Sequence, residues 1–343
     1  MKKKMRRSKS SIYIIILITV LFNSCKTSDF KDEFQWSIEM SAPKYYPVGG
    51  AKVDFGNAGN SSLTNFDNGW KRPYGIVVGE KYKKLPKEVF ISYASAVENL
   101  VYEGTVPLPY EKIKKLFEKH CKNRGKESGK FLVGMAPGGW IRVWVYFYME
   151  DKITDEIEII KTKLQGKEDP TMGEDFLNKN SDYWSKYKYY WEHFGIPLEV
   201  WEENEKEYDI HFNFYHPNPN YDISFQYSSK DGTRDYGGHE DRILINAKLP
   251  ADLVIFWRNN TNDSIGYDTH ILLPKKFTEI VENKKTKSIE MQLEIEKNNE
   301  YGVLYLVTSN QKEKILRFKN EKVKGVKGLG QSDFSEKVEY FMK

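Results

Sequence analysis

The chain has 343 residues and a formal net charge of +4, from 53 basic and 49 acidic residues. The positive excess is local: residues 1–24 hold six basic residues and no acidic one, so the remaining 319 carry 47 basic against 49 acidic, a net of −2. That balance excludes a basic, nucleic-acid-binding body, and the interspersed signs describe an ordinary solvated surface.

The chain opens with Lys2, Lys3, Lys4, Arg6, Arg7 and Lys9, followed by an almost wholly apolar run from Ile12 to Phe22 and then Asn23, Ser24 and Cys25. A run of 11 residues is too short for a hydrocarbon core that needs about 20. The pattern predicts a secretory signal over residues 1–24, cleaved before Cys25. It resembles a bacterial lipoprotein signal, in which the new N-terminal Cys is acylated, with departures at Phe22 and Ser24 and with Leu21 one place early. That resemblance implies a palmitate-type anchor on Cys25, since several acyl chains hold a protein stably where one does not. Lys26 beside it points to the outer membrane, on its periplasmic face or at the cell surface, with residues 25–33 as tether.

Among the predicted elements, Phe34 to Met40 alternates as a half-buried strand does, and so does Trp140 to Tyr146. Ala51 to Trp70, rich in Gly, Asn and Ser, reads as a long loop. Ile113, Leu116, Phe117, His120 and Cys121 share one helix face, so Cys121 is expected to be a buried, inert thiol. With only Cys25 besides, no disulfide is expected.

A self-comparison lays residues 85–119 over 249–283 without gaps, with seven identities in 35 positions. Both segments carry Leu-Pro, two strands and then a helix whose apolar face matches at Ile113/Phe277, Leu116/Ile280 and Phe117/Val281. Phe131 to Met135 and Trp140 to Tyr148 continue the register as Ile289 to Ile295 and Tyr301 to Thr308. Residues 181–191 lie over 332–342, predicting that both copies end in the same helix, with Lys322 to Gln331 as linker to the second. The expectation is an α+β fold, mainly antiparallel β: two tandem, related, sandwich-like domains over residues 34–201 and 202–343, each with one or two packed helices.

Candidate chemistry is sparse. Pro137 and Gly138 suit the corners of a type II turn, predicting a hairpin tip at Pro137, Gly138, Gly139 and Trp140. It is a candidate exposed binding loop with Trp140 as aromatic anchor, against the plainer reading of a demanding turn. The following strand and the missing Gly-Lys rule out a phosphate loop. His211 and His216 are badly placed to share a metal, and His193 sits at a helix end, where it complements the dipole. Residues Asp231, Asp235, His239, Glu240 and Asp241 read as a solvated hairpin loop, or a cation or hydrolase site. No nucleophile elbow is present, so no catalytic residue, cofactor or metal is expected. Tyr183, Tyr187, Tyr190, Trp191 and Phe194 form one helix stripe, read as core packing.

Leu85-Pro86 before a strand, Val133-Gly134-Met135-Ala136-Pro137-Gly138-Gly139 followed by Val143-Trp144, and Tyr190 to Pro197 before Trp201 resemble the DUF2931 family over about residues 34–201. This is a set of lipoproteins of Gram-negative bacteria with no established activity, some encoded beside secreted phospholipase toxins. The resemblance implies no catalytic residues. It implies an inhibitor or immunity role; with the Cys25 anchor, the β-rich body, the Pro137 to Trp140 tip and the want of a catalytic constellation, the expectation is a non-enzymatic, lipid-anchored binding protein whose partner is a toxin or envelope protein. A surface glycan-binding lipoprotein and an envelope hydrolase are the alternatives.

Overall fold

The computed structural model describes residues 32–343, apart from 57–58, 76–79, 170–181, 238–242, 260–261, 310, 325–332, 336 and 343. Cys25 and His239 lie outside the described residues.

In the first half, β1 (Glu33–Ser41), β2 (Val48–Asp54), β3 (Asn60–Phe66), β4 (Tyr82–Lys84), β5 (Glu88–Ser95) and β6 (Leu100–Pro107) precede helix α1 (Tyr110–His120). Strands β7 (Glu127–Met135), β8 (Trp140–Met149), β9 (Lys152–Lys163) and β10 (Gly166–Lys167) follow. They form two facing sheets, β4-β1-β7-β8-β9 and β10-β6-β5-β2-β3. Helices α2 (Ser185–Phe194) and α3 (Leu198–Glu202) then lead into the second half.

The second half begins with β11 (Glu207–Tyr215), β12 (Tyr221–Ser229), β13 (Arg234–Gly237), β14 (Ile243–Lys248), β15 (Pro250–Asn259) and β16 (Asn262–Leu272), followed by helix α4 (Phe277–Asn283). It closes with β17 (Ser288–Ile295), β18 (Tyr301–Thr308), β19 (Gln311–Lys319), β20 (Lys322–Lys324) and β21 (Val338–Tyr340). Its sheets, β14-β11-β17-β18-β19-β21 and β13-β12-β15-β16-β20, repeat the first half's strand order position for position, with β21 added at one edge. The fold is two tandem, related β sandwiches, as the self-comparison predicts.

Alternation of apolar side chains builds each core. Trp36, Ile38 and Met40 point inward from β1, and Ile210, Phe212 and Phe214 do so from β11. Helix α1 closes the first core with Ile113 and Phe117, and α4 closes the second with Phe277 and Val281. The pairing is antiparallel except for β1 with β7 and β11 with β17, which run parallel. Parallel neighbours need a long crossover; here each crossover contains four of the five strands of the opposite sheet and a helix, so short turns elsewhere do not forbid it.

Four local expectations are corrected. Ala51 to Trp70 is no long loop, because Ala51, Val53 and Phe66 face the core and β2 pairs with β3. The linker expected at Lys322 begins instead as strand β20, paired with β16. The end of the chain is a strand and not a copy of α2: Val338, Tyr340 and Met342 alternate onto the second core, and β21 pairs with β19. Finally, β8 is buried on both faces rather than one, since a third apolar cluster covers its outer side.

Candidate functional site

The third cluster lies between the halves. Trp140, Trp144 and Tyr146 from the outer face of β8 meet Trp70, Tyr45 and Tyr46 from the first half's loops. Tyr190 on α2, Val200 and Trp201 on α3, and Ala251, Leu272 and Phe334 from the second half complete it. The helix stripe expected to pack in a core does so here: Tyr190 is wholly buried, while Tyr183 at its start stays exposed. Helix α2 ends at Gly195, whose φ of 70° is the left-handed conformation that suits Gly at such a stop. Pro197 then opens α3 one turn later.

Several charged groups inside this seam are held by hydrogen bonds. Arg142, on the outer face of β8 and 1% exposed, donates to the Trp201 carbonyl, the Glu158 carboxylate and the Asn204 side chain. The turn between β12 and β13 plugs into the first half at Gly232, whose carbonyl accepts from the backbone N–H of Lys44 and of Trp70. A Cβ on Gly232 would stand 2.4 Å from the Lys44 nitrogen, so only Gly allows this approach. Asp231 beside it is buried, not solvated: its carboxylate accepts from Ser229, the Thr233 N–H and Lys248. Burial alone would raise the Asp231 carboxyl, and Lys248 reverses that and holds it low. Glu205, accepting from the Asp231 N–H, is pushed up to about 8 by burial and by the Asp231 charge.

At the centre of the seam, Tyr45 from the first half meets Asp252 and His270 from the second. Tyr45 Oη donates to Asp252 Oδ2 at 2.7 Å, His270 Nε2 donates to the same oxygen at 2.6 Å, and Asp252 Oδ1 accepts from the Ser228 N–H. The three are at most 3% exposed. Burial tends to raise the Asp252 carboxyl, and the donors from His270, Tyr45 and Ser228 more than reverse it. Tyr45 takes a left-handed φ of 68°, uncommon for an aromatic residue. The surroundings over-determine it: its ring stacks on Tyr190 at 4.1 Å, its N–H donates to Asp67 and its carbonyl accepts from Trp191.

Beside this network a small polar cavity of about 150 Å³ opens, lined among others by Lys44, Lys186, Tyr187, Arg234, Asp252 and His270. Chemically, an Asp-oriented His next to a Tyr hydroxyl can move a proton. In this geometry, however, Nε2 is committed to Asp252, so the group's immediate work is to join the two halves. No signal in the sequence pointed to it, because its members come from residues 45, 252 and 270 and meet only across the seam.

The candidate loop Pro137 to Trp140 is a tight turn between β7 and β8, with Gly138 at φ 75° and ψ 7° as the type II corner requires. It is not exposed. Pro137, Gly139 and Trp140 are buried beneath Leu164, Tyr102 and Leu198, and the Gly138 N–H donates to the Glu98 carboxylate. A Cβ on Gly139 would sit 2.1 Å from the Leu164 carbonyl oxygen. Gly134, earlier in the same motif, lets the Trp70 and Trp144 rings lie against the sheet. The motif is thus explained by packing.

Cys121 is partly buried, and burial pushes its thiol up to about 12, the behaviour of an inert cysteine. His216 bonds Asn299, and His193 bonds the Leu273 carbonyl. Among the described residues no cluster of His, Cys, Asp and Glu could hold a metal, and no helix is long and apolar enough to cross a membrane.

Residues 23–199, just over half of the chain, match the family described as "Protein of unknown function (DUF2931)". The chain belongs to that family. No curated protein and no solved structure matches it. The matched span ends in α3, so the second sandwich lies outside it while repeating its strand order.

Proposed function

We propose that the protein is a lipid-anchored, non-enzymatic binding protein of the bacterial envelope, held in the outer membrane through acylated Cys25. Its partner is a protein, and the role is that of an inhibitor or immunity protein against a secreted toxin such as a phospholipase. One observation carries the reading. The buried acid–base groups of the seam are spent on joining the halves, as Tyr45, Asp252 and His270 do. What that leaves for recognition is a preformed surface on a rigid double sandwich, and preorganisation favours affinity by lowering the ordering cost of binding.

Cells expressing the full chain should incorporate labelled palmitate into it, and the protein should float with outer-membrane fragments. Cys25→Ser should lose the label and move to the soluble periplasmic fraction; a variant that fractionates like the wild type would sink the anchor. Expressing cells should also survive toxin-delivering competitors that kill cells lacking the chain. Equal killing, with no envelope protein captured by the anchored chain, would overturn the binding role.

A further inference from the structure

We infer that the partner docks through an acidic segment, and that its landing site is a cationic-aromatic platform built across the two halves by Arg72, Tyr236 and Arg234. This rests on the binding-protein reading and adds the place and chemistry of the contact.

On β13, Arg234 and Tyr236 share one face, as period-two alternation requires, while Asp235 between them turns to the other side. Arg72 reaches over from the first half: its Nη1 donates to Tyr236 Oη at 2.7 Å, and its guanidinium lies 5.3 Å from the ring centre. The Arg234 guanidinium lies 5.7 Å from the same ring, its stem resting on Gly69. Tyr236 keeps 49% of its surface exposed between two cations.

What marks this place is the partnering of its charges. Several cations elsewhere in the molecule face carboxylates: Lys44 with Asp67, Lys71 with Glu156, Arg142 with Glu158. One analogue, Arg317 over the Tyr301 ring, also holds Glu296. Arg72 and Arg234 have no carboxylate partner among the described residues; their hydrogen bonds go to Tyr236 and Gln226. A planar guanidinium held on an aromatic ring is weakly hydrated and presents a fork that matches a carboxylate. Arg and Tyr are also the side chains that dominate binding energy at protein interfaces.

Behind the platform, Arg234 also forms part of the wall of the small cavity beside Asp252 and His270. An anionic membrane is a poorer occupant, since lipid headgroups are gathered by clusters of about 4–8 basic residues. Two arginines, with Lys44 neutralised by Asp67, do not make one.

The test is fluorescence anisotropy of labelled hexaglutamate with the mature, full-length chain. Hexaglutamate should bind, hexaglutamine should not, and rising salt should weaken the complex. Arg72→Gln with Arg234→Gln should lower affinity roughly tenfold or more, whereas Lys297→Gln on a distant turn should leave it unchanged. Tyr236→Ala, at a half-exposed position, is the second variant should the double substitution unfold the chain; it should weaken binding as well. Hexaglutamate binding no better than hexaglutamine, or equally well to the arginine variant, would overturn the site. So would phosphatidylglycerol vesicles binding through these arginines while the peptide does not. Capture of an envelope partner that is indifferent to both arginines would remove this site and keep the binding-protein reading; hexaglutamate binding with no partner in the envelope would do the reverse.

Discussion

Strands β8 and β18 hold the same position in the two sandwiches, between β7 and β9 in one and between β17 and β19 in the other. Their inner faces are interchangeable in kind: Ile141, Val143, Val145 and Phe147 against Leu304 and Leu306. Their outer faces are not. Trp140, Arg142, Trp144 and Tyr146 are buried under the seam, whereas Tyr301, Tyr305 and Val307 are only partly covered. The turns that lead into them differ in the same way, Pro137 to Gly139 packed beneath neighbouring side chains and the turn Glu296 to Glu300 with Lys297, Asn298 and Glu300 exposed. A repeated sheet order therefore constrains the inward residues alone, and function is free to diverge outside.

The sharpest break of that comparison is at the two turns. Gly139→Ala places a Cβ against the Leu164 carbonyl at a φ of 78°, and should cost about 3 kcal/mol or more in urea unfolding. Lys297→Ala in the corresponding open turn should stay within about 0.5 kcal/mol. Equal costs would mean the two turns are not packed differently.

The seam itself is tested by Asp252→Asn, expected to destabilise by about 2–3 kcal/mol at pH 7, since it weakens a buried, fully bonded carboxylate. Its carboxyl is held below the ordinary value in the fold, so its stabilisation is present above about pH 4, the unfolded value, and is lost as pH falls through the folded one. The gap between wild type and variant should accordingly shrink in acid; a gap constant down to pH 2 would contradict the network.

The last effect has the opposite sign. Glu205 is raised to about 8 in the fold, so it favours folding when protonated, and that contribution is lost as pH rises from about 4 to 8. Glu205→Gln, which can still accept from the Asp231 N–H, should gain stability relative to wild type across that window, with the gain flat above it. No gain at pH 9 would show that Glu205 is ionised at no cost.

The strands, both main helices and the duplication were legible in the sequence because inward residues repeat every second or every third to fourth position, and local periodicity survives in a single chain. The terminal strand β21 was misread as a helix because residues 332–342 share Ser, Asp, Lys and Tyr positions with 181–191. Only pairing with β19 distinguishes the two. The Pro137 to Trp140 turn was legible as a turn and illegible as a buried one, since what covers it, Leu164, Tyr102 and Leu198, comes from elsewhere in the chain.

By itself, then, the sequence determined the two sandwiches and their mutual likeness, both of which rest on patterns among near neighbours. Only the tertiary structure decided that the halves share a third core, that Tyr45, Asp252 and His270 are one network, and that Arg72 and Arg234 flank one ring. Those contacts join residues up to 225 positions apart, and no spacing along the chain encodes which outer faces meet.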